Sequence, residues 1–145
     1  MNQLLNISDC IEFEDLKICF LKEQIFYLQV SDEAVVNRSM QERINDSIQK
    51  LKPATNLKYP LVVELGEFIS ITDNLIEHSD LQFSGNILCI SVYVKKTSDR
   101  LLAKYYSHKF NMTEEYRFFR TLEEALEFSK SAFESYKRSM PLHHE

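Results

Sequence analysis

Glycine is scarce in this chain of 145 residues, which contains only Gly66 and Gly85. Average usage would give roughly ten glycines in a chain of this length. The Walker loop and the dinucleotide fingerprint both need two or more glycines within six residues, so that backbone N–H groups can surround phosphates, whereas Gly66 and Gly85 are nineteen residues apart. The sequence therefore excludes glycine-rich nucleotide loops, and we predict no cofactor.

The chain also contains few cysteines and histidines, with three cysteines and four histidines. Cys10, Cys19 and Cys89 are far apart, which predicts neither a disulfide framework nor a CxxC metal clip. Cys19 and Cys89 lie in apolar runs and are predicted to be small core residues. The histidines lie at no ligand spacing, and neither a GxSxG elbow nor an HExxH motif occurs. These absences predict a protein that binds no metal and is not an enzyme.

Long apolar runs and an excess of basic residues are missing as well. No stretch approaches eighteen consecutive apolar residues, and the N-terminus lacks the pattern of a signal peptide, which predicts a cytoplasmic protein without a transmembrane segment. The 17 Lys and Arg residues against 22 Asp and Glu residues give a net charge of −5, which argues against nucleic-acid binding. Hydrophobic residues make up 44% of the chain, enough for one domain over 1–145, with its core at about 10–137 and a flexible tail at 138–145.

The spacing of apolar residues predicts strands alternating with helices. Period-two patterns and short apolar runs predict strands, while three-to-four spacing and capping residues predict helices. The predicted strands lie at about 11–14, 17–20, 25–30, 61–65, 87–94 and 116–119. The predicted helices lie at about 32–51, 72–81, 98–110 and 121–136.

This order defines a fold class. The first two strands are close enough for an antiparallel hairpin, whereas the later crossovers are long enough to connect parallel neighbours. The predicted fold is α/β, with a single mixed sheet that is opened by a β-hairpin and has helices packed on it.

Three stretches of sequence resemble a known family. They are KYPLVVELG after the first long helix, ILCISVYVKK before another helix, and the closing YRFFRTLEEALEF. With the leading strands, they make the chain similar to the SpoIIAA-like or STAS-type small α/β domains, and particularly to uncharacterised bacterial single-domain relatives. The resemblance covers about residues 10–137.

The resemblance implies a non-enzymatic regulatory or interaction module, best known among anti-sigma factor antagonists. In that family the turn after the central strand carries an Asp-x-Ser motif, whose Ser is phosphorylated by a partner kinase. The matching turn here reads Glu64-Leu65-Gly66. The acidic position is approximately kept and the acceptor Ser is missing, so the resemblance implies the module without its usual phosphorylation switch.

The candidate binding residues lie where two predicted strands end. In open α/β sheets, ligands and partners meet the carboxyl ends of the parallel strands. The residues predicted there are Glu64, Gly66, Ser70, Thr72, Lys95, Lys96, Thr97, Ser98 and Arg100. A helix N-terminus after the lysines could bind an anion, and a basic helix face spaced as Lys96, Arg100 and Lys104 could meet an acidic partner or an anionic lipid headgroup. The alternative is that Thr97 or Ser98 only caps the helix and the basic face is simply solvated.

A second group of charged residues lies in the predicted hairpin. Glu12, Glu14 and Asp15 could suggest paired carboxylates for acid–base chemistry. Their alternation with Ile11 and Phe13 favours instead the solvent-facing side of an edge hairpin.

Together these observations predict a non-catalytic module that contacts a protein partner, with a homodimer as one arrangement the sequence allows. The alternative is a small-ligand or lipid-binding domain with a pocket between the sheet and the helices. That alternative rests on the 17 Phe and Tyr side chains, some of which could line a cavity.

Overall fold

The computed structural model describes residues 7–71, 86–94, 96 and 116–140. Within these residues it contains eight strands and two helices. The strands are β1 (Ile7–Glu12), β2 (Leu16–Leu21), β3 (Phe26–Val30), β4 (Val35–Val36), β5 (Tyr59–Leu65), β6 (Ser70–Ile71), β7 (Ile87–Tyr93) and β8 (Tyr116–Phe119). The helices are α1 (Arg38–Leu51) and α2 (Leu122–Arg138).

Six strands form one mixed sheet in the order β1-β2-β3-β5-β7-β8. The pairs β1–β2 and β2–β3 are antiparallel, whereas β3–β5, β5–β7 and β7–β8 are parallel. The carboxyl ends of β3 and β5 therefore lie side by side. The predicted α/β class, with a mixed sheet opened by a hairpin, is confirmed.

The buried side chains of the sheet form two clusters with the helices, and Phe133 of α2 belongs to the first of them together with α1. Met40, Ile44 and Ile48 of α1 join a buried cluster that includes Phe26 and Leu28 of β3. A second buried cluster contains Tyr27, which lies between Phe26 and Leu28 on β3, and Val62 of β5. Three residues of α2 belong to this cluster: Leu122, Ala125 and Leu126. Successive strand side chains point to opposite faces, so β3 is covered on both faces, as its nearly continuous apolar run predicts.

The predicted beginning of the first helix, at about Asp32, is wrong. The helix begins at Arg38, and the side chain of Asn37 accepts a hydrogen bond from the N–H of Met40 at 2.9 Å, which makes Asn37 the N-cap. The preceding residues form a turn and β4, which pairs in parallel with β6 as a separate two-stranded sheet. Val36 fits the helical spacing, but its backbone pairs with Ile71 instead.

The prediction for the cysteines is also wrong in part. Cys10 and Cys19 face each other in the β1–β2 register, and the structure joins them in a disulfide. Their nine-residue separation is bridged because the tight hairpin brings the two positions opposite each other. Cys19 and Cys89 are buried, as predicted, and Cys89 is not part of the disulfide.

Several predictions fall outside the described residues. The helices expected at about 72–81 and 98–110 lie there, as do residues 141–145 of the expected tail. Within the expected tail, Arg138 is the last residue of α2 and Ser139 is its C-cap. The single domain over 1–145 stays a prediction.

Candidate functional site

Two loops leave the sheet side by side after β3 and β5, and we call residues 31–34 and 66–69 the paired loops. The N–H of Glu33 donates to the carbonyl of Glu67 at 2.7 Å, and the N–H of Ser70 donates to the carbonyl of Ala34 at 3.1 Å. These bonds continue the parallel pairing of β3 with β5 into β4 and β6. These bonds fix the paired loops against each other at the carboxyl edge of the sheet. We call the surface that residues 31–34 and 66–69 form together the ledge.

Gly66 lies at a close approach between the paired loops. Its N–H donates to the carbonyl of Val30 at 2.8 Å. A Cβ atom at this position would lie 2.5 Å from the backbone nitrogen of Asp32 and 2.6 Å from the carbonyl carbon of Ser31. These are backbone atoms and cannot move aside as a side chain would, so the ledge requires glycine here.

A cleft of about 410 Å³ opens between this ledge and the β1–β2 hairpin. Acidic side chains dominate its charged lining, with Lys17 as the one basic residue among the lining residues. The acidic lining residues are Glu12, Glu14, Asp32, Glu64 and Glu67. Because like charges concentrated in a concave surface reinforce one another, the cleft has a negative potential.

Glu64 lies on the cleft wall and is held by a neighbouring strand. The hydroxyl of Tyr27 donates a hydrogen bond to Oε1 of Glu64. Burial, together with that bond to the Glu64 carboxylate, raises the pKa of Tyr27. Tyr27 therefore stays a neutral donor at physiological pH and fixes the orientation of the Glu64 carboxylate.

Phe68 projects from the ledge into solvent. Its side chain is 70% exposed, and within the described residues only Val35, at 41%, is another exposed large hydrophobic residue. Its backbone is left-handed, with φ at 60°. For a bulky residue this conformation costs roughly 1–2 kcal/mol relative to ordinary backbone angles.

Lys96 follows β7 and contacts the same ledge. Its ammonium nitrogen lies 3.2 Å from Oε1 of Glu67 and 5.4 Å from the centroid of the Phe68 ring. The side chains of Lys96 and Glu67 are 53% and 37% exposed. The ledge therefore already holds one cation between a carboxylate and an aromatic face.

The β1–β2 turn, on the other side of the cleft, is anchored to α1. Arg43 donates two hydrogen bonds to the carboxylate of Asp15, at 2.6 and 2.9 Å, and its guanidinium lies 5.2 Å from the Phe13 ring centroid. The hydrogen bond from Arg43 holds the pKa of Asp15 below its ordinary value. Asp15 thus positions the hairpin, while Glu12 and Glu14 line the cleft.

Two kinds of feature are absent from the part of the chain that the structure describes. No group of three or more His, Cys, Asp or Glu residues there could hold a metal ion. None of its helices is both long and apolar enough to span a bilayer.

Four of the residues predicted from the sequence lie in described parts of this surface. Glu64 and Gly66 line the cleft, and Lys96 contacts the ledge. Ser70 pairs with Val35 in the small second sheet, where its N–H bonds to the ledge. The remaining predicted residues, Thr72, Lys95, Thr97, Ser98 and Arg100, lie outside the described residues.

Sequence reasoning missed Phe68, Glu67 and Asp32. The signal that could have indicated Phe68 is an aromatic residue two positions after the glycine that ends a central strand, in a loop where polar residues are usual. The sequence predicts Asp32 at the start of a helix, but its side chain accepts a hydrogen bond from the N–H of Glu67 at 2.8 Å.

Among known proteins, this chain is similar to a solved structure but matches no family model. No protein-family model and no curated protein matches the chain. The chain is similar to an uncharacterised protein of the DUF3478 family with a SpoIIAA-like fold, from Shewanella loihica PV-4, with 11% sequence identity and a TM-score of 0.44. The match covers 89% of this chain and 98% of that chain.

Among its described residues, this chain has a mixed six-stranded sheet with two helices packed on it, which is an α/β architecture. The DUF3478 protein is uncharacterised, so it assigns no function to this chain.

Proposed function

We propose that this chain is a non-catalytic regulatory or protein-interaction module that binds a partner protein through the ledge and the cleft beside it. The observation that carries the proposal is Phe68, a large aromatic side chain held in solvent on a left-handed backbone. A bulky residue in such a conformation is a strained feature, and strained features concentrate at functional surfaces. Exposed aromatics on a rigid support are typical anchors of protein interfaces.

The rigidity of the ledge supports the same proposal. Hydrogen bonds between the backbones of the paired loops, together with their close approach at Gly66, hold Phe68 in place before any partner binds. A preorganised anchor loses little conformational entropy on binding. A loop that only connected two elements would gain nothing from this arrangement.

Regulation by a phosphorylated serine at position 66 does not fit this chain. In the family that the sequence resembles, the phosphorylated Ser of the Asp-x-Ser motif corresponds to Gly66. A Cβ atom at Gly66 would overlap the backbone of Ser31 and Asp32. A serine side chain would force the paired loops apart. The proposed module therefore responds to its partner without a phosphate at that position.

The alternative, a ligand or lipid site between the sheet and the helices, gains less support. The 410 Å³ cleft lies at the strand edge instead, between the hairpin and the paired loops. Its carboxylates would repel an anionic lipid headgroup. The cleft suits contact with a protein surface better than enclosure of an apolar ligand.

We also propose that the protein is located in the cytoplasm. Thiols are kept reduced in the cytoplasm, which would open the Cys10–Cys19 bond. The hairpin would then depend on its backbone pairing and on the Asp15–Arg43 ion pair.

Affinity capture followed by a binding measurement tests the proposal. Proteins retained from the source cell by the wild-type chain are identified and purified, and their affinity is measured by calorimetry. We expect Phe68→Ser to weaken binding about tenfold or more, which is the loss typical of an interface anchor. The matched control is Lys130→Ser, an exposed position on α2, which should leave the affinity unchanged.

Two results would contradict the proposal. One is equal affinity of the wild type and Phe68→Ser for every purified partner, with unfolding curves showing that both are folded. The other is turnover of a substrate in an activity screen that is lost when Glu64 is replaced by Gln.

A further inference from the structure

We infer that the partner presents a basic segment to this surface, with Lys or Arg side chains facing the acidic cleft and an apolar side chain against Phe68. The inference rests on the proposed function, because it names the chemistry of the partner at the same site. It rests on three features of the surface: an apolar anchor, a concentration of negative charge, and a cation already in place.

The apolar part of the surface lies on the ledge and the small sheet that continues it. Phe68 and Val35, which are the exposed large hydrophobic residues of the described chain, both belong to this part of the fold. Val35 pairs with Ser70, two positions after Phe68. An apolar side chain of the partner placed here would remove aromatic and aliphatic surface from water together.

The charged part of the surface adjoins the apolar part. Five carboxylates and one lysine line the cleft, and Glu67 is both a cleft residue and the immediate neighbour of Phe68. A segment that covers Phe68 therefore runs beside a strongly negative wall. Opposite charge on that segment speeds its association, whereas an acidic segment would be repelled.

Lys96 shows which chemistry fits the junction between the two parts. Its ammonium lies within ion-pair distance of Glu67 and over the Phe68 ring. An arginine of the partner can make both contacts better, since its planar guanidinium stacks on aromatic rings and pairs with carboxylates through two N–H groups. Lys96 is half exposed, so an incoming cation can reach the same position.

The same contact opposes the anion-binding role considered for Lys96 from the sequence. Its charge is already paired with Glu67, and an anion at this point would also face the carboxylates of the cleft. The described part of the surface therefore favours a cationic partner segment over an acidic one.

Selection from a phage-displayed library of random peptides, each of about twelve residues, tests this inference without knowledge of the natural partner. Peptides retained by the wild-type chain are sequenced, synthesised and measured against purified variants. The variants are Phe68→Ser, Lys96→Met, the double variant Glu12→Gln/Glu14→Gln, and a matched double variant on α2, Glu127→Gln/Glu134→Gln. The two double variants remove equal charge from exposed positions.

We expect the selected peptides to combine Lys or Arg with an aromatic or large aliphatic residue. Their affinity should fall about fivefold between low salt and about 0.5 M salt, because salt screens the charges. Phe68→Ser and Glu12→Gln/Glu14→Gln should each weaken binding, whereas Glu127→Gln/Glu134→Gln should not. Lys96→Met should strengthen binding, because it removes the competing cation.

Other outcomes separate this inference from the proposed function. Neutral peptides that need Phe68 but ignore salt would overturn the basic segment and leave the interaction surface standing. Basic peptides that bind Phe68→Ser as well as the wild type, or that are equally weakened by Glu127→Gln/Glu134→Gln, would overturn both. A chain that forms a dimer by light scattering, and a monomer with Phe68→Ser, would make a second copy the occupant and overturn the basic segment.

Discussion

Gly66 and Phe68 are two positions apart, and different physical limits act on them. Gly66 has an ordinary backbone angle but no room for a side chain, because the backbone of residues 31 and 32 occupies that space. Phe68 has room for its side chain but a left-handed backbone. Because Gly66 has no side chain, the paired loops can pack closely together. Phe68 then places its aromatic ring in solvent on the ledge that these loops form.

Replacement of Gly66 by Ala should destabilise the fold. The added methyl group must displace backbone at Ser31 and Asp32, and overpacking of this kind costs roughly 1–3 kcal/mol. Urea unfolding followed by circular dichroism measures the change, with Lys130→Ala on α2 as a control expected to stay within about 0.5 kcal/mol of the wild type. Unchanged stability of Gly66→Ala would mean that the paired loops separate at little cost.

At the scale of elements, the β1–β2 turn is tied to α1 by one ion pair. Arg43 binds both oxygens of Asp15, and about a third of each side chain is exposed. Solvent screens a pair this exposed, so we assign it only about 0.5–1 kcal/mol. Its importance lies in position, because the same turn carries Glu14 and forms one wall of the cleft.

Asp15→Asn should lower the free energy of unfolding by about 0.5–1 kcal/mol at neutral pH. Because Arg43 lowers the pKa of Asp15 in the folded state, the contribution is fully present above the ordinary value of 3.8 and is lost as the pH falls through the lower folded value. The difference between wild type and variant should therefore shrink at acid pH in urea titrations. A difference that persists or grows there would contradict this assignment, and Glu14→Gln on the same turn serves as the control.

The contact between β7 and α2 includes a pair of buried hydroxyls. Ser91 and Ser129 are fully buried, and their Oγ atoms lie 3.1 Å apart. A buried hydroxyl that loses its partner costs more than the hydrogen bond itself was worth. This pair helps to fix how α2 sits on the sheet.

A double-mutant cycle tests the coupling of these serines. Ser91→Ala and Ser129→Ala should each cost roughly 1–2 kcal/mol, because each leaves the other hydroxyl without this partner. The double variant should cost less than the sum of the two, since both polar groups are then gone. Additive losses in urea unfolding would show that the hydroxyls act independently.

Elements with strong local signals could be predicted from the sequence. The strand β7 follows from its run of apolar, β-branched residues, and α2 follows from the capping residue Thr121, whose Oγ1 accepts a bond from the N–H of Glu124. The strands β4 and β6 have two residues each and leave no periodic pattern. The Cys10–Cys19 bond depends on strand register, which composition and spacing do not determine.

The site could be predicted only where a general rule of the fold applied. Glu64 and Gly66 follow from the rule that ligands meet the carboxyl ends of parallel strands. Phe68 required knowledge of the loop backbone, and the cleft required the hairpin, a distant part of the sequence, to lie beside the paired loops. Glu12 and Glu14 line the cleft. Their alternation with apolar residues predicts only that they face solvent on a hairpin, because sequence spacing does not show which other part of the fold lies beside the hairpin.

At the scale of the whole molecule, the net charge of −5 is unevenly placed. Five carboxylates gather in one cleft at the carboxyl edge of the sheet, next to the exposed aromatic ring of Phe68. An acidic groove beside an apolar anchor is a surface that selects partners by charge and retains them by apolar burial. The interaction surface that we propose is therefore this one edge of the sheet.

Photo-crosslinking in the source cell tests this claim most directly. Benzoylphenylalanine is introduced at position 68, and in a matched variant at position 130 on α2, and adducts are identified by mass spectrometry after irradiation. The account predicts a discrete adduct with one partner protein from position 68, joined at a segment rich in Lys or Arg, and no such adduct from position 130. Equal labelling from both positions, or no adduct from position 68 in a folded chain, would contradict it.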